Sequence, residues 1–170
     1  MKASGQRVVI ESPLNAPDAA GVQRNLRFLL WCCRAVKLRS GHDAIGSHML
    51  NPWFMDDSVP EERAAGIANA WAWAPKVPHW FFLDLGMSNG MKLAEERCLA
   101  ANLLPSQAFP WKHVWLKEYD PDSWNAFERG EWPPHTKGFK VAQPRPALDS
   151  CPRCYSCEHC GQCLCDRPEG

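Results

Sequence analysis

The sequence predicts an α/β fold, a mostly parallel sheet covered by helices on both faces, followed by a small Cys-rich metal-binding tail. Three observations carry this. Short apolar runs of strand length alternate with longer segments of helical period. One of those runs, Trp80-Phe81-Phe82-Leu83, ends in Asp84 and empties into a polar glycine turn that opens a helix at once. Six of the chain's nine cysteines lie between Cys151 and Cys165, apart from the body. At 170 residues the chain accommodates one ordinary domain, residues 1–120, a short helix with a Pro-rich linker over 121–150, and a Cys-rich module over 151–165.

Arg7 to Glu11 is a short apolar run that fits a buried first strand, and the segment from Ser12 to Asp18 is a turn-rich loop. From about Ala19 the period becomes helical: Val22, Leu26, Leu29, Cys33 and Val36 recur at steps of three and four, with Gly41 placed to cap the end. A weaker strand covers about Asp43 to Met49. Ser58-Val59-Pro60-Glu61-Glu62 is a helix start, with Ser58 as a cap, proline in the first turn and acids at the positive end of the dipole. That helix runs to about Trp73. The central strand follows, then a helix ending near Asn102. Trp111 to Tyr119 reads as a last strand and Pro121 to Glu131 as a short helix capped by Asp122 or Ser123. Trp132 to Ser150 has four prolines and no period.

The 45% apolar fraction is enough for a core, and zero net charge argues against a protein that grips nucleic acid mainly by charge. No apolar run reaches membrane length and no basic-then-apolar leader opens the chain, so the expectation is a cytoplasmic protein without membrane contact. In that compartment cysteines serve metals or remain free thiols.

If the topology is right, the loop after the first strand and the Ser88-Asn89-Gly90 turn leave the same sheet edge and face one crevice. Ser12, Ser88 and the amides near Gly90 could hold a phosphate or sugar hydroxyls, and Asp84 sits at the strand's mouth. Helix capping is the competing role for Ser88 and Asn89. On the helix that follows, Met91, Ala94, Cys98 and Ala101 mark the inward stripe; 100° per residue puts Glu95 beside it and Glu96 nearly opposite. A solvated face is the competing reading of that acidic pair. Asn25, Arg63 and His48 are the remaining polar candidates. Arg63 lies in the first turn of its helix, where a cation is unfavourable without a partner such as an acid or a phosphate.

Residues 7 to about 105 resemble the nucleoside 2-deoxyribosyltransferase-like superfamily, and more closely its branch common in phage and mobile-element genomes. The residues carrying the likeness are Val8-Val9-Ile10-Glu11-Ser12-Pro13, Asn25, Ser47-His48-Met49-Leu50-Asn51-Pro52, Asp56-Asp57, Glu62-Arg63-Ala64-Ala65-Gly66-Ile67 and Asp84-Leu85-Gly86-Met87-Ser88-Asn89-Gly90-Met91. The resemblance implies a flavodoxin-like, Rossmann-like three-layer sandwich. It also implies N-glycosidic bond hydrolysis or base exchange on a nucleoside or nucleotide, through a helix glutamate that attacks the anomeric carbon. Ser12, Asn25, Arg63, Ser88, Asn89, Gly90 and Met91 would bind substrate. Asp84 would orient or protonate the departing base, and family members often complete their sites across a homo-oligomer. The nucleophile position of the known transferases and hydrolases is Ala94 here. The phage-type pattern points to Glu96 and the helical wheel to Glu95, and the aromatic that several members place over the base is not evident after Ser12. A non-catalytic nucleotide-binding or sequestering protein is therefore the alternative.

The tail reads Cys151-x2-Cys154-x2-Cys157-x2-Cys160-x2-Cys163-x-Cys165. Thiolates three apart suit one tetrahedral zinc through two knuckles, in a structural role, and C-x2-C-x2-C also begins iron–sulfur runs. Such a module could make the protein an adaptor for DNA or protein, the one route by which this sequence could contact nucleic acid. No cofactor is needed for the expected catalysis.

Overall fold

The structure is a computed structural model that describes residues 5–49, 55, 59–104, 110–134 and 136. The Cys-rich module, the Pro-rich stretch beyond residue 136 and the Ser58 cap lie outside the described residues. The elements run β1 (Arg7–Glu11), α1 (Ala19–Ser40), β2 (Asp43–Gly46), α2 (Pro60–Trp73), β3 (His79–Phe82), α3 (Asn89–Leu103), β4 (Trp111–Val114), α4 (Leu116–Tyr119) and α5 (Pro121–Glu128). The four strands form one parallel sheet in the order β2-β1-β3-β4, a Rossmann-like α/β arrangement.

Alternation along the strands divides the core in two. Val8 and Ile10 of β1 and Trp80 and Phe82 of β3 face α1 and α5, where they meet Phe28, Leu29, Cys32, Val36 and Phe127. Phe81 points the other way, onto Met91, Ala94 and Cys98 of α3. Each large side chain buried in this way contributes roughly 1.5–3 kcal/mol. Helix α1 is fixed at both ends. Asp18 accepts a hydrogen bond from the Gly21 amide at 2.7 Å, and Gly41 closes the other end in the left-handed region at φ 74°.

Two elements depart from expectation. Strand β2 ends at Gly46 instead of Met49, because the chain turns there: the Met49 amide donates to the Gly46 carbonyl. The segment expected as one strand from Trp111 to Tyr119 is a strand only to Val114 and then becomes α4. The cause is Asp84, whose carboxylate accepts from the Leu116 amide at 2.6 Å and the Lys117 amide at 3.1 Å and so starts a helix. The expected caps also shift: Val59, not Ser58, holds the cap position of α2, with no side-chain bond, and Asp120, not Asp122 or Ser123, precedes α5, which ends at Glu128 instead of Glu131; Ser123 donates its hydroxyl proton to Asp120. No helix among the described residues is long and apolar enough to cross a membrane.

Candidate functional site

The chain leaves β1 toward α1 on one face of the sheet and leaves β3 toward α3 on the other. Between these neighbouring strands the connections diverge, which opens a crevice at their carboxyl ends. A cavity of about 270 Å³ occupies it. Its lining comes from four places: Glu11, Ser12, Leu14 and Asn15 after β1, Ser47 and His48 after β2, the underside of α2, and the first two turns of α3.

Glu11 is on the floor, 5% exposed. A buried carboxylate needs donors on both oxygens, and it has them. Oε1 lies 2.9 Å from Nδ1 of His79, and Oε2 accepts the Ser47 hydroxyl proton at 2.8 Å. With its one proton given to Glu11, Ser47 Oγ accepts from Nδ1 of His48 at 3.2 Å. The His79 ring stacks on Trp71 of α2 at 4.6 Å and 13°, and the Arg97 guanidinium lies over the same indole at 5.5 Å. Neighbouring Ser12 is buried too, and its hydroxyl has no hydrogen-bond partner among the described residues.

The opposite wall is the N-terminus of α3. Ser88 caps it, accepting from the Met91 amide at 3.3 Å, and lines the cavity as well, so the two roles read from the sequence meet in one residue. A guanidinium nitrogen of Arg63 lies 3.7 Å from where a Cβ on Gly90 would stand. Thus the positive end of a helix dipole and Arg63 stand together, Arg97 lines the pocket two turns further along α3 over Trp71, and a carboxylate and an unpartnered hydroxyl lie at the floor. Such a pocket can take an anion at one side and neutral hydroxyl groups at the other.

Of the residues expected to bind ligand, Ser12, Arg63, Ser88, Asn89, Gly90 and Met91 are brought together here. Asn25 is not at the wall; its side-chain amide donates to the carbonyls of Leu14 at 3.0 Å and Asn15 at 3.3 Å, holding the loop that is. The three acids expected to carry catalysis lie elsewhere. Asp84 caps α4. Glu95 sits on the flank of α3 that faces β4, its carboxylate 2.6 Å from Nε2 of His113, and Glu96 is exposed. Ala94 is the residue of that turn that lines the pocket. Sequence reasoning passed over Glu11, Trp71 and Arg97. An acid closing an apolar strand at the sheet's carboxyl edge was a signal for the first; nothing local marked the other two. Among the described residues no group of three or more His, Cys, Asp or Glu side chains could hold a metal ion.

A parallel Rossmann-like sheet with a polar pocket at its switch point defines an α/β protein with a candidate ligand site among the described residues. The chain belongs to the family described as "Domain of unknown function (DUF7768)", whose model matches residues 6–105. The match spans β1 to α3 and every residue lining the pocket. No curated protein matches the chain, and no solved structure does.

Proposed function

We propose that this protein binds a nucleotide, with the phosphate at the N-terminus of α3 beside Arg63 and the sugar over Ser12 and Glu11. One observation carries the reading: the buried Ser12 hydroxyl, without a partner among the described residues, lines the same pocket as the α3 N-terminus and two guanidinium groups. A buried hydroxyl left unpaired costs free energy that a ligand hydroxyl or phosphate oxygen would recover. The resemblance to the nucleoside 2-deoxyribosyltransferase-like superfamily supports the same ligand class. Binding without N-glycosidic cleavage is the form the geometry favours, because Ala94 faces the pocket while Glu95 engages His113 and Glu96 is exposed.

N-glycosidic hydrolysis or base exchange is the second reading, and one observation favours it: Glu11 is a carboxylate on the pocket floor, held by His79 and Ser47. The two separate in one experiment. Calorimetric titration of the full chain with the ribo- and deoxyribonucleoside monophosphates is followed by chromatography of the same mixtures. Binding with no free base supports the first reading, binding with base release supports the second, and absence of binding across the panel sinks both. For the tail we propose a structural zinc held by four of Cys151, Cys154, Cys157, Cys160, Cys163 and Cys165.

A further inference from the structure

We infer that the nucleotide's heteroaromatic base enters a second cavity, beneath the C-terminal half of α2. This rests on the nucleotide reading and names the part of the ligand that the first pocket leaves unplaced.

The second cavity measures about 290 Å³ and lies between the sheet face and α2. Val9, Ile45 and His79 come from the strands, and Asn69, Trp73 and Ala74 from the helix. It exists because small residues meet across this layer. Ala70 and Ala74 of α2 line it together with Val9, Ala44 and Ile45 of the strands. Larger side chains at 70 or 74 would have closed it.

The two cavities share Glu11, Ser47, Ala70 and Trp71, so they adjoin at the end of β1, where Glu11 borders both. Their chemistry differs in the order a nucleotide requires. The first has the helix N-terminus and two guanidinium groups. The junction has an acceptor for sugar hydroxyls. The second is walled mainly by aliphatic and aromatic carbon, with the Asn69 amide as a polar group able to read the edge of a base. Trp73, a residue 77% exposed, lines it, and its indole offers a surface on which a flat ring can stack. Arg7 and Glu11, at the two ends of β1, both line this cavity and are roughly 13 Å apart at strand rise, enough to accept a base beyond its sugar. Neither cavity alone reaches the usual size of a ligand site, and the two together do.

The test is calorimetric titration of the full chain with ribose 5-phosphate and with the ribo- and deoxyribonucleoside monophosphates. The best nucleotide should bind at least about tenfold tighter than ribose 5-phosphate. Trp73→Ala, which removes an exposed stacking surface, should weaken that nucleotide about tenfold and leave ribose 5-phosphate within about twofold. Ile45→Trp, which fills the cavity from a half-exposed position, should do the same. Unchanged thermal melting establishes that each variant folds, and Trp73→Ala suffices if Ile45→Trp does not. Equal affinity of ribose 5-phosphate and every nucleotide overturns the base compartment and leaves the phosphate-and-sugar pocket standing. So does a nucleotide affinity that neither folded variant changes. Failure of ribose 5-phosphate and of every ribo- and deoxyribonucleoside monophosphate to bind overturns the nucleotide reading and the compartment with it.

Discussion

Glu11 at the end of β1 and His79 at the start of β3 meet across the sheet, Oε1 2.9 Å from Nδ1, although 68 residues separate them. The register explains the meeting. β1 and β3 pair with Val9 opposite His79, so the side chain of Glu11, two residues on, lies on the same face. The contact therefore ties the pairing of two central strands to the floor of the pocket. Glu11→Ala should cost about 3 kcal/mol, because it leaves the buried His79 and Ser47 groups without the acceptor they now have. For a domain of this size that lowers the melting temperature by about 8 °C. Glu11→Gln, which keeps an acceptor for Ser47, should cost about 1 kcal/mol. A double-mutant cycle with His79→Ala measured in urea should give a coupling energy above about 0.5 kcal/mol, and strict additivity would contradict a direct interaction.

Asp84 lies in the loop after the central strand, where an open α/β sheet places ligand-contacting groups, yet its two oxygens are committed to the amides of Leu116 and Lys117. Asp84→Ala should destabilise the protein by about 1–2 kcal/mol through loss of this cap, and Asp84→Asn by less, since one acceptor oxygen survives. Nucleotide affinity should be unchanged in both. Loss of affinity or of base release in Asp84→Asn, with stability intact, would instead give Asp84 the role at the departing base that the family resemblance implies.

At the other end of the sheet, Asp120 joins α5 to the last turn of α1, accepting from Arg39 at 2.8 Å and from the Ser123 hydroxyl at 2.8 Å. Burial pushes the Asp120 carboxyl up, but the hydrogen bonds from Arg39 and Ser123 and the Arg39 charge outweigh it and hold the group below its ordinary value of 3.8. A carboxyl lowered by folding adds stability above its unfolded pKa, and that stability is lost as pH falls through the folded one. Asp120→Asn should therefore be less stable than the parent at pH 7, and the difference should shrink as pH drops below about 3.8. Urea midpoints measured from pH 7 to pH 2 check this; a gap independent of pH would remove Asp120 from the acid transition.

What the sequence made legible follows from the range of the forces involved. The bounds of β1 and α1 are set by local period and local caps, and Arg7, Glu11, Ala19 and Gly41 could be read directly. The gathering of Ser12 with the Ser88 turn follows from a topological rule about parallel sheets, so it too was legible once strand and helix alternated. Helix α4 was not, because the residue that starts it, Asp84, is 32 positions away and looked like part of a ligand turn. The roles of Trp71 and Arg97 depend on how α2 crosses the sheet and settles beside α3, a packing outcome with no trace in either helix's own pattern. Glu95 shows the limit most clearly. A helical wheel places it beside the buried stripe and says nothing about which flank faces the cavity and which faces His113.

The cysteines divide into two classes that one alkylation experiment can separate. Cys32, Cys33 and Cys98 are free thiols of the folded body. Burial, with the neighbouring Cys33 and Asp84 charges, pushes Cys32 up, and burial pushes Cys33 up to about 12. Burial and the charges of Glu11 and Glu95 raise Cys98 to about 12. At pH 8 a thiol with a pKa near 12 is ionised in roughly one molecule in ten thousand, against about one in four for an ordinary cysteine, and the thiolate is the species that reacts. Iodoacetamide applied to the folded, metal-stripped protein should modify the six cysteines from Cys151 to Cys165 first and reach the other three only after denaturation. Zinc added beforehand should protect four of the six, the number a tetrahedral site consumes. Peptide mapping by mass spectrometry reads both results. Early labelling of Cys98 would contradict its burial on the inner face of α3, and unchanged labelling of the six after zinc would show that their spacing builds no zinc site.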